Sequence, residues 1–401
     1  MTSVQRKTIS LKNPFVLILI FMIVVGGLGL FGSHIKKALN LNDSKVDHYN
    51  LPPALALSKN ETTLLNDSCN LWYENNLNKS CFNGGIIIAK NGNIVFEKYR
   101  GEARLGSGIP FSDSSSIHIA STSKTFTAMG VLKLMQDGKV NIDDEFSNYF
   151  PGFPYPGVTI RTLLNHRSGL PNYLVFMEKL GWNKSSFIRN TDVLTYLIIR
   201  KNEIENIGLP DKHFSYCNTN YALLALLIEK LSNLPYPIFM QQTFFSPLGM
   251  AHTFVYTDQD SSTANPSYEC TGAIIRDNFL DRVYGDKNIY STPRDILTWD
   301  KALRSNIIFT PETMAMAYTP YSNEKEGVRN YGLGWRMYLY PGGRKIIYHN
   351  GWWHGSTSCF IRLIDENATI IVLGSQYSKM VYKAKDLVNI FHHYDVPEEE
   401  E

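Results

Sequence analysis

The chain has 401 residues, 44% of them hydrophobic and 19% charged, a balance that supports a sizeable core and excludes global disorder. Its 39 Lys and Arg stand against 37 Asp and Glu, for a formal charge of +2, so no basic excess points to nucleic acid. Five cysteines are too few for a disulfide scaffold, and neither a GxxxxGK[ST] phosphate loop nor an HExxH zinc helix occurs.

The first element along the chain sets its address. Phe15 to Gly32 carries no charge and is rich in Ile, Val, Leu and Phe. As a helix it rises about 27 Å, close to the hydrocarbon thickness of a bilayer. Arg6, Lys7 and Lys12 precede it; Lys36, Lys37 and Lys45 follow, diluted by Asp43 and Asp47. That asymmetry favours an N-terminus in the cytoplasm. The competing reading is a cleaved signal peptide, but Gly27-Leu28-Gly29 is a poor cleavage site and no Cys near the segment's end suits lipid attachment. Residues 1–33 are therefore expected to form a cytoplasmic tip and an uncleaved single-pass anchor through residues 15–32. The rest then lies on the extracytoplasmic side. Residues 34–58 read as a linker interrupted by Pro52-Pro53, residues 59–393 as the main domain, and residues 394–401 as a solvated acidic tail.

Cys69 and Cys81 flank a helix-like stretch. Outside the cytoplasm they could pair, or remain two thiols. Gly85-Ile-Ile-Ile-Ala, Asn91-Gly92 and Ile94-Val-Phe spell a β-hairpin with a tight turn. Helical spacing begins near Ser121 and runs to Met135. Short helices alternate with Pro- and Gly-rich loops over 140–310, the most apolar covering Leu223 to Leu231. Strand patterns return at Tyr331 to Trp335, Lys345 to His349, Ser358 to Leu363 and Ile370 to Gly374, and a last amphipathic helix is expected over 380–393. Strands at both ends with helices between them favour an α+β fold: an antiparallel sheet packed by helices, plus an all-helical lobe.

Three short motifs could carry chemistry. Ser121-Thr-Ser-Lys124 opens a helix, and a spacing of three puts Ser and Lys on one face. A serine hydroxyl needs a nearby base, and a buried Lys can serve; the same letters also fit a helix cap. Tyr216-Cys-Asn218 stands at the start of the apolar helix. Its phenol could relay protons, and its amide could orient Lys124 and a substrate carbonyl. His349-Asn-Gly351 is read as a strand end, with Gly351 letting a substrate lie close. The N–H groups of Ser121 and Trp352 could then form an oxyanion hole. Cys217 reads as packing. His166 reads as the holder of a turn, and His118 and His213 flank motifs. No metal-ligand spacing surrounds His392-His393, and a serine hydrolase acting through an acyl-enzyme is expected to need neither metal nor cofactor.

Taken in order, Ser-x-x-Lys, Tyr-x-Asn and His-x-Gly resemble the serine hydrolase superfamily of class C β-lactamases and penicillin-binding proteins. The flanks match as well: Thr159-Ile-Arg-Thr-Leu-Leu-Asn-His166-Arg-Ser-Gly169-Leu-Pro, Phe214 to Leu224, and Gly285 to Thr292 with Asp295, Trp299 and Asp300. Similarity runs from about residue 83 to 376. The resemblance implies a β-lactamase/transpeptidase-like fold, with Ser121 as acylated nucleophile and Lys124 as its base, alone or with Tyr216. Tyr216 would protonate the leaving group, and Asn218, His349 and Gly351 would bind substrate. His349 stands where many members carry Lys, which puts carboxylate recognition in doubt because His is mostly neutral near pH 7. The expected activity is hydrolysis of an ester or a D-amino-acid peptide or amide. The alternatives are a D-Ala-D-Ala carboxypeptidase, a β-lactamase, or a non-catalytic sensor or scaffold. Specificity is expected in loops 170–210 and 255–290.

Overall fold

The computed structural model describes residues 48–205 and 207–397. The expected anchor at Phe15 to Gly32, residues 34–47 of the linker and the Glu398 to Glu401 end lie outside the described residues. Among the described residues, no single helix is long and apolar enough to cross a membrane.

Helix α1 (Lys59–Asn75) opens on Ser58, whose side chain accepts from the Glu61 N–H. Strands β1 (Gly84–Lys90) and β2 (Asn93–Arg100) follow. They are joined at Asn91 (φ 53°) and Gly92 (φ 78°), the two positive φ values that a tight hairpin turn demands. After a short β3 (Ile117–His118) come α2 (Ser123–Gln136), α3 (Ile160–Leu164), α4 (Tyr173–Lys179), α5 (Asn190–Ile199) and α6 (Asn218–Ser232). Tyr221 to Ile228 are buried without a break, which makes α6 the central helix of the helical lobe. It stops at Asn233 in the left-handed conformation (φ 57°). Small strands β4 (Phe254–Val255), β5 (Ser267–Tyr268), β6 (Ile274–Ile275) and β7 (Ile289–Ser291) precede α7 (Pro293–Arg304) and α8 (Pro311–Ala317).

The chain then lays down β8 (Arg329–Tyr331), β9 (Arg336–Leu339), β10 (Lys345–Trp353), β11 (Ser356–Leu363) and β12 (Ala368–Gly374). Strand β12 pairs antiparallel with β1, from Gly84↔Gly374 to Lys90↔Ala368. The sheet order is β2-β1-β12-β11-β10-β9-β8, so the two ends of the domain do meet in one antiparallel sheet. Ile87, Phe360 and Ile371 face the helical lobe with Phe126 and Trp299. Ile86, Ile88 and Val372 face the opposite layer, α1 and a run of 3-10 turns over Lys379–Ile390. Burial on both faces explains why β1 reads as a continuous Ile run.

Three expectations need correction, and the structure decides one pairing the sequence left open. Tyr331 to Trp335 is not one strand: β8 ends at Tyr331, and Gly334 turns the chain at φ 85° because a Cβ there would lie 2.3 Å from that of Ala128. Lys345 to His349 does not end the third-motif strand, which continues to Trp353. The final helix is a 3-10 run, not an α-helix. Cys69 does not pair with Cys81. Cys81 forms a disulfide with Cys270, whereas Cys69 points from α1 into the core beneath the sheet, where burial pushes its thiol up to about 12.

Candidate active site

The chain reaches Ser121 through a strained turn. Ala120 holds φ 49°, which costs a residue with a Cβ on the order of 1 kcal/mol and survives only where neighbours enforce it. His118 Nδ1 accepts the Ala120 N–H at 3.2 Å. Ser358 Oγ donates to the Ile119 carbonyl at 2.7 Å and lies 2.8 Å from Thr122 Oγ1. Burial pushes the His118 imidazole down to about 4, so its ring stays neutral and can accept. Ser121 sits in a single 3-10 turn, Ala120–Thr122, before α2.

Lys124, the second residue of α2 and one turn on from Ser121, is fully buried. Its Nζ donates to Ser121 Oγ at 3.0 Å and to the Asp286 carbonyl at 2.7 Å. Both acceptors are neutral, so Lys124 touches the Ser121 hydroxyl without an ion pair to occupy it. It also lies 4.9 Å from the centre of the Tyr216 ring. The Tyr216 hydroxyl is buried and has no hydrogen-bond partner among the described residues. A buried phenol in that state costs roughly 1–3 kcal/mol.

Asn218 begins α6 beside Tyr216 but is not a partner of Lys124 among the described residues; the Asp286 carbonyl takes the orienting part expected of its amide. The Cys217 thiol donates to the Leu170 carbonyl at 3.3 Å and is buried, as packing requires.

Strand β10 supplies the third motif. Strand β9 covers it only from Lys345 to Tyr348, so its edge from His349 to Trp353 is left for the nucleophile turn and a substrate. A Cβ on Gly351 would lie 2.4 Å from the Ile119 carbonyl oxygen and from Ser358 Oγ, and 3.0 Å from the Ser121 nitrogen. The glycine is thus demanded by the protein's own nucleophile turn, not by substrate approach as its sequence position suggested. Trp352 follows on the same edge with its side chain 62% exposed. His349 is fully buried. Its Nδ1 lies 2.7 Å from the Asn350 carbonyl, which can only accept. Nδ1 therefore carries the proton, and Nε2 accepts from the Tyr331 hydroxyl at 3.3 Å. Burial, then the nearby Arg336 and Lys124 charges, hold the imidazole well below its usual range. With both nitrogens engaged, His349 acts on a substrate only through Tyr331 or the strand.

Four further residues belong to the site and went unassigned in the sequence. Asp286 contributes a carbonyl, which no side-chain pattern can reveal. His166, read there as a turn holder, has φ 58°, packs tilted against Tyr216 with ring centres 4.3 Å apart and accepts the Cys217 N–H at 3.1 Å. Tyr331 meets His349. The Arg336 guanidinium lies 5.0 Å from the centre of the Tyr216 ring, a permanent cation beside the third motif. A cleft of about 690 Å³ runs from Tyr216 between Leu170, Val175, Phe176 and Leu209. A smaller cavity of about 220 Å³ lies past Trp353 between Tyr256, Tyr290 and His354. The two fall on the loops expected to carry specificity.

Residues 78–394 match the family model described as "Beta-lactamase". The chain belongs to the β-lactamase family. Penicillin-binding protein 4* of Bacillus subtilis (strain 168) is 31% identical over 346 residues, 80% of this chain and 75% of that protein. Among solved structures, a penicillin-binding protein from Bacillus halodurans superposes with a TM-score of 0.68 at 22% identity, covering 83% of this chain and 99% of that one. A D-amino acid amidase from Ochrobactrum anthropi SV3 gives 0.66 at 20%, covering 83% and 97%. Such structural likeness fixes the shared fold, an antiparallel sheet packed by helices. By family, the chain is a serine hydrolase of the penicillin-binding protein and β-lactamase type.

Proposed function

We propose that this family member acylates Ser121 with the carbonyl of an ester or a D-amino-acid amide or peptide and passes the acyl group to water. The observation that carries the reading is the Lys124–Ser121 contact of 3.0 Å beside the Tyr216 hydroxyl, which has no hydrogen-bond partner among the described residues. Lys124 takes the serine proton as Oγ attacks, and the Ser121 and Trp352 N–H groups receive the developing oxyanion. Tyr216 then protonates the leaving group, and the reverse sequence with water frees the acid.

A second reading, a carboxypeptidase acting on peptides with a free carboxylate, is favoured by Arg336. A guanidinium keeps its charge at every working pH, so Arg336 on β9 brings to the site the cation that His349 does not carry. Penicillin-binding protein 4* as a relative adds a β-lactam to the probes.

We further infer that residues 15–32 anchor the enzyme and that the catalytic domain lies outside the cytoplasm. The Cys81–Cys270 disulfide supports that side, because such bonds persist in oxidising compartments. Full chain in detergent and its Ser121→Ala variant, assayed on a short nitrophenyl ester, a D-Ala p-nitroanilide and a chromogenic cephalosporin, test the chemistry. Loss of ester or anilide turnover in the variant supports it, and equal turnover by both proteins refutes it. Membrane fractions washed with alkaline carbonate test the anchor: release into the wash refutes it.

A further inference from the structure

Directly behind Lys124 lies a second buried lysine that the chemistry above does not use. Lys287 is 2% exposed and its neighbour Asp286 is 1% exposed. The Lys287 ammonium is 3.3 Å from Asp286 Oδ2 and donates to the Tyr173 hydroxyl. That hydroxyl in turn donates to Asp286 Oδ2 at 3.0 Å. The ammonium also sits 5.1 Å from the Tyr173 ring centre and 4.6 Å from that of Trp353. The segment cannot drift. A Cβ on Gly285 (φ 94°) would lie 2.5 Å from the Tyr221 carbonyl oxygen, and Thr127 of α2 donates to the Gly285 carbonyl at 2.7 Å.

A buried ion pair is a poor source of stability, since well-packed apolar residues commonly do as well or better. This one joins two working parts. Its acidic member presents the carbonyl that holds Lys124, and its basic member braces Trp353 at the end of the strand edge that carries Gly351 and Trp352.

We propose that Lys287 is a positioning residue for acylation: through Asp286 and Trp353 it holds Lys124 and the β10 edge in register around Ser121. The proposal rests on the Ser121–Lys124 chemistry above. The charged and titratable groups facing Lys287 are Asp286 and Asp281 on its own segment, Tyr173 on α4, Lys124 on α2 and His118 on β3. Burial lowers the proton affinity of Lys287 most, opposed by Asp286 and Asp281 and assisted by Lys124.

The test compares full-length wild type, Ser121→Ala, Lys287→Met, Asp286→Asn/Lys287→Met and Tyr173→Phe on the nitrophenyl ester. The double variant removes both charges together, and Tyr173→Phe keeps every charge and ring while removing only the shared hydroxyl. Lys287→Met and the double variant are expected to lose about tenfold to a hundredfold in kcat, the scale of a small misplacement of reacting groups, with KM little changed. In Lys287→Met the acid limb of the kcat/KM profile should move to higher pH, because a cation has left the site, whereas in the double variant, which loses an anion with it, the limb should stay; a merely structural role moves neither that limb nor kcat apart from KM. Tyr173→Phe should lower kcat in the same direction. Wild-type kcat and pH profile in whichever of these variants fold, with Ser121→Ala inactive, would overturn this proposal alone. Turnover that survives Ser121→Ala would overturn the catalytic reading beneath it.

Discussion

Replacing Gly351 with Ala adds one methyl at the point where the nucleophile turn meets β10. The methyl would stand 2.4 Å from the Ile119 carbonyl oxygen and from Ser358 Oγ, against an ordinary contact of 3.4 Å, so something must retreat by about 1 Å, the difference of those two distances. Ser358 Oγ cannot swing away freely, because it is bonded to the Ile119 carbonyl and to Thr122. The softer part is the turn itself, already strained at Ala120. Moving it carries the Ser121 nitrogen, 3.0 Å from the same Cβ, away from its place as an oxyanion donor. Displacement on that scale costs roughly a hundredfold in rate, about 2.7 kcal/mol of transition-state stabilisation. Overpacking adds about 1–3 kcal/mol of destabilisation. Stopped-flow measurement of ester acylation, with thermal melting as a control, reads both. A variant that folds and acylates within threefold of wild type would refute the geometric argument.

Removing the disulfide by Cys81→Ser/Cys270→Ser reopens a loop spanning 189 residues. Loop-closure entropy sets the loss at roughly 5 kcal/mol at most, and native disulfides commonly deliver 2–4 kcal/mol; urea melts that coincide with wild type would contradict it. Stability should also fall with acid. Burial holds His118, His166 and His349 below their ordinary range, His118 at about 4. Unfolded histidines titrate near 6.5, so as pH drops from there toward 4 the unfolded chain takes up protons that the fold refuses. His118 alone accounts for roughly 3 kcal/mol over that window; a flat urea midpoint between pH 7 and 4.5 would rule this out. Arg336→Leu should cut kcat/KM for a D-Ala-D-Ala peptide with a free carboxylate by about tenfold to a hundredfold, the worth of a charged hydrogen bond, and leave its C-terminal amide unaffected. Equal losses on both substrates would remove Arg336 from carboxylate recognition.

Local signals carried far in this chain because they coincide with tertiary demands. Asn91-Gly92 specified its turn outright, and the Ser-x-x-Lys spacing placed Lys124 Nζ on Ser121 Oγ. Where the reading failed, the deciding partner was distant in sequence. Cys81 met Cys270 because the β5–β6 turn folds beside the start of β1. Tyr331 to Trp335 alternates like a strand, but Gly334 must pass against Ala128. The Asp286 carbonyl could not be found at all, since a backbone oxygen has no letter. His166 looked bland because its part is played through the Tyr216 ring.

The third motif illustrates the same limit from the side of chemistry. His349 in place of Lys argued against a fixed positive charge, and the residue itself bears that out: it is buried, neutral and committed to Asn350 and Tyr331. The site as a whole does not lack the charge. Arg336 enters from β9, paired in register with Tyr348, and stacks near Tyr216. A lysine in the motif and an arginine on the next strand are therefore alternative ways to give one cleft its cation. They differ in direction. A motif lysine charges the strand edge beside the serine, whereas Arg336 charges the side of Tyr216, where the proposed mechanism protonates the leaving group. A carboxylate recognised here would belong to the departing half of the substrate. That geometry suits a peptide cleaved next to its terminal residue better than an ester whose leaving group is neutral.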